Sequence, residues 1–121
     1  MKVHLNASEF NSDAPVVLTV GTFDGVHIGH RAVIDLLTLR AKELGGESVL
    51  LTFHPHPRTV LHPERHQLQL LNTLEERKDL LRNAGLDHLV VHPFTESFSR
   101  KTPLEYVREL FAEGIKPQKV I

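Results

Sequence analysis

Two histidines three residues apart, His27 and His30, close the string Gly21-Thr22-Phe23-Asp24-Gly25-Val26-His27-Ile28-Gly29-His30. Each imidazole can donate a hydrogen bond, and a protonated ring adds positive charge. On a helix, a spacing of three projects both rings from one side. In the first turn they would join free backbone amides and the helix dipole, a setting that favours an anion. A transition state at phosphorus spreads negative charge over oxygens, so donors positioned there accelerate transfer without a covalent intermediate. Gly21 and Gly25 permit a tight turn and close approach by a ligand, and Gly29 leaves room for a flat ribose or adenine. Taken singly, either histidine reads as a surface residue at a helix start; the pair after such a turn points to phosphate chemistry. A two-histidine metal site is a third reading, weakened by the lack of a third ligand nearby.

A second histidine-bearing segment, Thr52-Phe53-His54-Pro55-His56-Pro57, follows another apolar run. Residues before proline are pushed toward extended backbone, which would hold this loop stiffly open. In an extended segment positions 54 and 56 share one side. The reading favoured is a substrate loop; a proline-rich turn that simply ends the strand, or an adventitious His-x-His metal site, are the alternatives. Asp24 has three uses: capping the following helix, bonding its own turn, or holding magnesium. Capping ranks first. Phe94 and Phe98 are four apart and could flank a flat ring or belong to the core. His4, His62, His66, His88 and His92 show no joint spacing and read as surface or packing residues.

Positioning such groups requires strands that end, and helices that begin, at the same edge. Short β-branched runs at Val16–Val20, Ser48–Phe53, Leu89–His92 and Lys119–Ile121 read as strands. A helix is expected over His27–Leu44, with Val33, Leu37, Ala41 and Leu44 as its apolar stripe. A second starts at the capping box Thr73-Leu74-Glu75-Glu76 and stops at Gly85; a third takes Thr102 as N-cap, Pro103 at its first position and Glu105 three residues after the cap. Leu104, Val107 and Phe111 would share its face. Near-continuous apolar strands alternating with helices predict a doubly wound parallel α/β sheet, β-α-β-α-β-α-β. Its ligand site belongs at the carboxyl ends of the strands, after Val20, Phe53 and His92.

Bulk composition excludes several classes. The 121 residues suit one domain, 40% hydrophobic and 24% charged, with net charge −1. That balance argues against a broad nucleic-acid or anionic-membrane footprint, while a compact phosphate site needs only a few local donors. There is no cysteine, hence no disulfide, thiolate metal site or cysteine nucleophile, which suits a reducing cytoplasm. Met1 to Pro15 carries no apolar signal region, and no apolar run approaches the roughly 20 residues that span a bilayer. A cytoplasmic location is expected.

The tetrapeptide His27-Ile28-Gly29-His30 resembles the HxGH signature of the nucleotidylyltransferase superfamily. More narrowly, Gly21 to His30 resembles the GxFDGVHxGH motif of prokaryotic FAD synthetases, Thr52 to Pro57 their TFxPHP segment, and Leu86 to Phe98 their third strand and loop. The resemblance implies a Rossmann-like nucleotidyltransferase fold and the reaction ATP + FMN giving FAD + pyrophosphate, with Mg²⁺. It implies that His27 and His30 are catalytic, on the ATP phosphates, and that Gly21, Thr22, Phe23, Asp24, Gly25 and Gly29 bind nucleotide. Thr52, Phe53, His54, Pro55, His56 and Pro57 would bind substrate, with no protein metal ligand assigned. Relatives continue past the fourth strand with an ISSTxIR-type segment, and bifunctional ones with a riboflavin kinase domain. On this resemblance, residues 1–121 are one partial nucleotidyltransferase domain without the kinase. Two alternatives stand beside it: a non-catalytic nucleotide- or flavin-binding fragment, and a nucleotidylyltransferase with another acceptor.

Overall fold

The computed structural model describes residues 1–21, 28–54 and 74–121, apart from the side chains of residues 28–30, 74–77, 103 and 113. The apolar runs form the middle of an all-parallel sheet. Val16–Val20 (β2), Glu47–His54 (β3) and His88–Pro93 (β4) lie side by side. Lys119–Val120 (β5) pairs with β2, and a further strand, Lys2–His4 (β1), pairs with β4. The order is β1-β4-β3-β2-β5. The helices between are Ile28–Glu43 (α1), Leu74–Asn83 (α2), Glu96–Ser99 (α3) and Pro103–Val107 (α4), the last continuing as a π-helix over Arg108–Ile115. The doubly wound parallel architecture is as expected.

Alternation along the central strands divides the core in two. Val17, Leu50, Leu89 and Val91 face α1 and α2, meeting Ile34, Leu37, Ala41 and Leu81. Val16, Leu18, Val49, Leu51, Phe53 and Val90 face the other way, against Ala7, Phe10, Phe98, Leu110 and Ile115. Burying both faces requires apolar residues at consecutive positions, so these strands read as continuous runs. The amino ends of β3 and β4 are tied by Asp87, whose carboxylate accepts from Ser48 N–H at 2.9 Å and Ser48 Oγ–H at 3.1 Å.

Local signals set most boundaries. Thr102 Oγ1 accepts the Glu105 N–H at 3.2 Å, the capping bond its position predicted. Gly85 has φ +91°, a conformation that ends α2 at little steric cost to glycine. Gly46 serves a different purpose, since a Cβ there would lie 2.1 Å from the Pro15 carbonyl oxygen. The proposed cap at Thr73 lies outside the described residues.

Three expectations about faces and elements need correcting. The buried stripe of α1 is Ile34, Leu37 and Ala41; Val33 is half-buried, and Leu44, 45% exposed, lies beyond the helix end. Positions 34, 37 and 41 follow the helical period toward the sheet, while 33 falls beside it. Leu104 and Val107 face solvent, Leu104 being 67% exposed. The chain widens into π geometry at Arg108, and Leu110 and Ile115, five apart as that helix repeats, enter the core instead. Finally, β1, the 3₁₀ turn Ala7–Glu9 and α3 carry too few residues for a periodic signal, and β1 is a strand only by pairing with β4.

Candidate functional site

From β2 the chain steps through α1 to the adjacent β3, and through α2 to β4. It then returns to β5, on the far side of β2. The reversal puts the switch point between β2 and β5, and sheets of this kind bind ligands outside the carboxyl ends of the strands there. β2 ends at Val20; the next residue, Gly21, donates its N–H to the Leu51 carbonyl at 3.0 Å, extending the β2–β3 ladder to the edge. α1 opens at Ile28 and holds Gly29 and His30 in its first turn, which contains no acidic residue. The free amides and positive dipole end of a 16-residue helix therefore meet no carboxylate within that turn. The intervening Thr22, Phe23, Asp24, Gly25 and His27 lie outside the described residues, as does the side chain of His30.

The second segment leaves the adjacent strand at the same edge. Thr52 and Phe53 are both buried but on opposite faces, because successive strand residues alternate. Phe53 sits among aromatic rings, with centroids 5.7 Å from Phe94, 5.7 Å from Phe98 and 6.4 Å from Tyr106. Phe98 is itself a buried core residue and Phe94 lies half-buried against that cluster, so the aromatic pair is part of the packing. Burial also raises the Tyr106 phenol above its ordinary value, keeping it protonated at neutral pH.

Thr52 and His54 share the face covered by α1. The Thr52 side chain is only 4% exposed, and its Oγ1 has no hydrogen-bond partner among the described residues. Buried hydroxyls are ordinarily paired, so one left open beside a ligand edge stands out. His54 is exposed at the end of β3, and its carbonyl accepts from Phe94 N–H at 3.3 Å. Pro55, His56 and Pro57 lie outside the described residues. Among the described residues, no three histidine, cysteine or acidic side chains gather closely enough to hold a metal ion.

Sequence spacing did not disclose a contact network at the other histidines. His4 Nε2 lies 3.1 Å from His88 Nδ1, and His88 Nε2 contacts the Glu47 carboxylate. The His92 Nδ1 accepts the buried Ala7 N–H at 3.2 Å. His4 and His88 are 84 positions apart, so no local pattern announces them.

Fold and edge define the class: a doubly wound, Rossmann-like α/β domain with a glycine-rich strand-to-helix turn at its topological switch point. The sequence model of the FAD synthetase family matches residues 9–121. The chain belongs to the FAD synthetase family. It is 38% identical over 96 residues to the bifunctional riboflavin kinase/FMN adenylyltransferase of Listeria monocytogenes, covering 79% of this chain and 31% of that protein. The Bacillus subtilis protein of the same name is 35% identical over 108 residues, covering 89% of this chain and 34% of the relative. A protein named FAD synthetase from Listeria monocytogenes is 30% identical over 106 residues, covering 88% and 43% respectively. The chain thus spans about a third of the length of these two bifunctional relatives. A crystal structure titled macrolide-efflux protein, from Streptococcus pneumoniae, superposes with TM-score 0.81 at 22% identity, covering 98% of this chain and 39% of that one. That likeness shows the fold. Among the described residues no helix is long and apolar enough to cross a membrane.

Proposed function

We propose that this chain carries the FMN adenylyltransferase (FAD synthetase) reaction, moving the adenylyl group of ATP to FMN. A phosphate oxygen of FMN attacks the α-phosphorus of ATP, the bond from that phosphorus to the bridging oxygen breaks, and pyrophosphate leaves with FAD as the other product. The observation that carries the reading is the family match over residues 9–121. With it goes the location of the Gly21–His30 string, which joins β2 to α1 at the switch point. His27 and His30 donate to phosphate oxygens as charge builds there, and the amides opening α1 add fixed dipoles. Gly21, Thr22, Phe23, Asp24, Gly25 and Gly29 form the nucleotide cradle. The Thr52 hydroxyl and His54, on the face of α1, supply polar contacts to substrate, and the family resemblance assigns Pro55, His56 and Pro57 to substrate binding as well. Phe53 supports Thr52 and His54 from the core side.

Mg²⁺ enters as the companion of the triphosphate. The ion would be carried on phosphate oxygens and water. Bound there, it would supply positive charge to offset that of the phosphates. In this reading residues 1–121 belong to the nucleotidyltransferase domain of the family. The reaction takes place in the cytoplasm.

The test is direct. The chain is mixed with ATP, FMN and Mg²⁺, and the flavins are separated by chromatography. FAD should form in the wild type and fall away in His27→Ala. FAD formation undiminished by that substitution would refute the site.

A further inference from the structure

β4 carries two imidazoles, His88 and His92, that hold the first ten residues in place, and neither side chain is assigned to the candidate site above. Ala7 N–H donates to His92 Nδ1 at 3.2 Å within the core. An Nδ1 that accepts carries no proton, so the His92 proton resides on Nε2, 3.9 Å from Glu109 Oε1. At the other end, a carboxylate can only accept, so His88 Nε2–H donates to Glu47, which also receives the Ser12 hydroxyl at 2.6 Å. His4 Nε2 lies 3.1 Å from His88 Nδ1, a contact in which one nitrogen donates and the other accepts. Each contact between the N-terminal segment and a β4 histidine thus needs one unprotonated imidazole nitrogen.

Packing makes the arrangement a clasp. Ala7 and Phe10 are buried in the core, and the rings of His4 and His88 meet Phe10 edge-on at 5.2 and 5.1 Å. Gly114 lets the π-helix approach closely, since a Cβ there would lie 3.2 Å from both Ala7 Cβ and Ala7 O. A proton on His92 Nδ1 would put two N–H groups face to face at Ala7. Protons on both His4 and His88 would do the same at the second contact.

We infer that residues 1–10 form a histidine-latched clasp on β4, closed by imidazole acceptors near neutral pH and released by acid. Release would free the outer edge of β4 and uncover the core face beneath Ala7 and Phe10. Burial favours the same direction. His92 lies below its ordinary value through burial, with Glu109 opposing and Lys101 adding a smaller lowering. His4 is lowered by burial, then by His88 and Lys2, against Glu9 and Glu47. A histidine depressed in the folded state stabilises it above the ordinary value of about 6.5, and that contribution is lost as pH falls through the folded value. Glu47 is held below the carboxylate range by its bonds to Ser12 and His88, so it stays ionised through this window. The inference is independent of the catalytic reading.

The test is residue-resolved amide hydrogen exchange on the whole chain at pH 7.5 and 5.5, corrected for the intrinsic pH dependence of exchange. Protection at residues 1–10 should fall by up to about tenfold per pH unit for each proton taken up, while β3 keeps its protection. Protection unchanged at residues 1–10, or lost equally in β3, would overturn the clasp. His92→Asn places an amide oxygen where Nδ1 stands, keeps an acceptor for Ala7, and should flatten the pH dependence. Should that variant not fold, imidazole nitrogen shifts of the unmodified chain decide: the Nε2–H tautomer of His92 at pH 7.5 supports the latch, and the Nδ1–H tautomer refutes it.

Discussion

Thr52→Val asks whether the open hydroxyl at the candidate site is kept for a ligand. The two side chains are nearly isosteric, both are β-branched, and both suit a buried strand. Thr52 is 4% exposed, with Oγ1 unpartnered among the described residues. Burying a hydroxyl without a partner costs roughly 1–3 kcal/mol, and the replacing methyl adds about 0.8 kcal/mol of apolar burial. Without ligand, the variant should therefore gain about 2–4 kcal/mol, seen as a rise in Tm of about 8 °C or more. If Oγ1 meets substrate, the same change removes one hydrogen bond worth about 0.5–1.5 kcal/mol and weakens nucleotide or flavin binding about two- to twelvefold. Thermal unfolding and equilibrium titration with ATP and with FMN read the two effects separately. A Thr52→Val chain that is less stable would show the hydroxyl to be satisfied within the fold. One that is more stable but binds both ligands unchanged would remove Thr52 from the site.

Three further substitutions probe the remaining arguments. His27→Ala and His30→Ala should each cost roughly 2.7–4 kcal/mol of transition-state stabilisation, if each acts like a lost oxyanion donor, with ATP affinity changed far less. Steady-state FAD formation measures this, and kcat within twofold of wild type would exclude the role. Gly46→Ala should destabilise the fold by about 3 kcal/mol, because its Cβ would fall 2.1 Å from a backbone oxygen that cannot swing aside. A urea midpoint unchanged in that variant would mean that the turn between α1 and β3 yields easily.

How much could be read in advance followed the range of the forces involved. Val16–Val20 reads as a strand because five apolar or β-branched residues stand together, and it is one. Thr102, Pro103 and Glu105 mark a helix start because capping acts over three residues. The Gly21–His30 string could be singled out as a candidate phosphate site because its glycines and imidazoles are neighbours in the chain. Its place at the switch point followed once the order of strands was known.

Other features depended on residues that meet only after folding. The sequence alone determined the parallel α/β class, the principal strands and the candidate phosphate turn, all matters of composition and spacing within about ten residues. Tertiary structure decided that Lys2–His4 is a strand, because backbone groups there find partners on β4. It moved Leu110 and Ile115 into the core through a π turn that no apolar period forecasts. It also set the proton positions on His88 and His92, since a tautomer is fixed by the group opposite, and Glu47 and Ala7 stand 41 and 85 residues away in the chain.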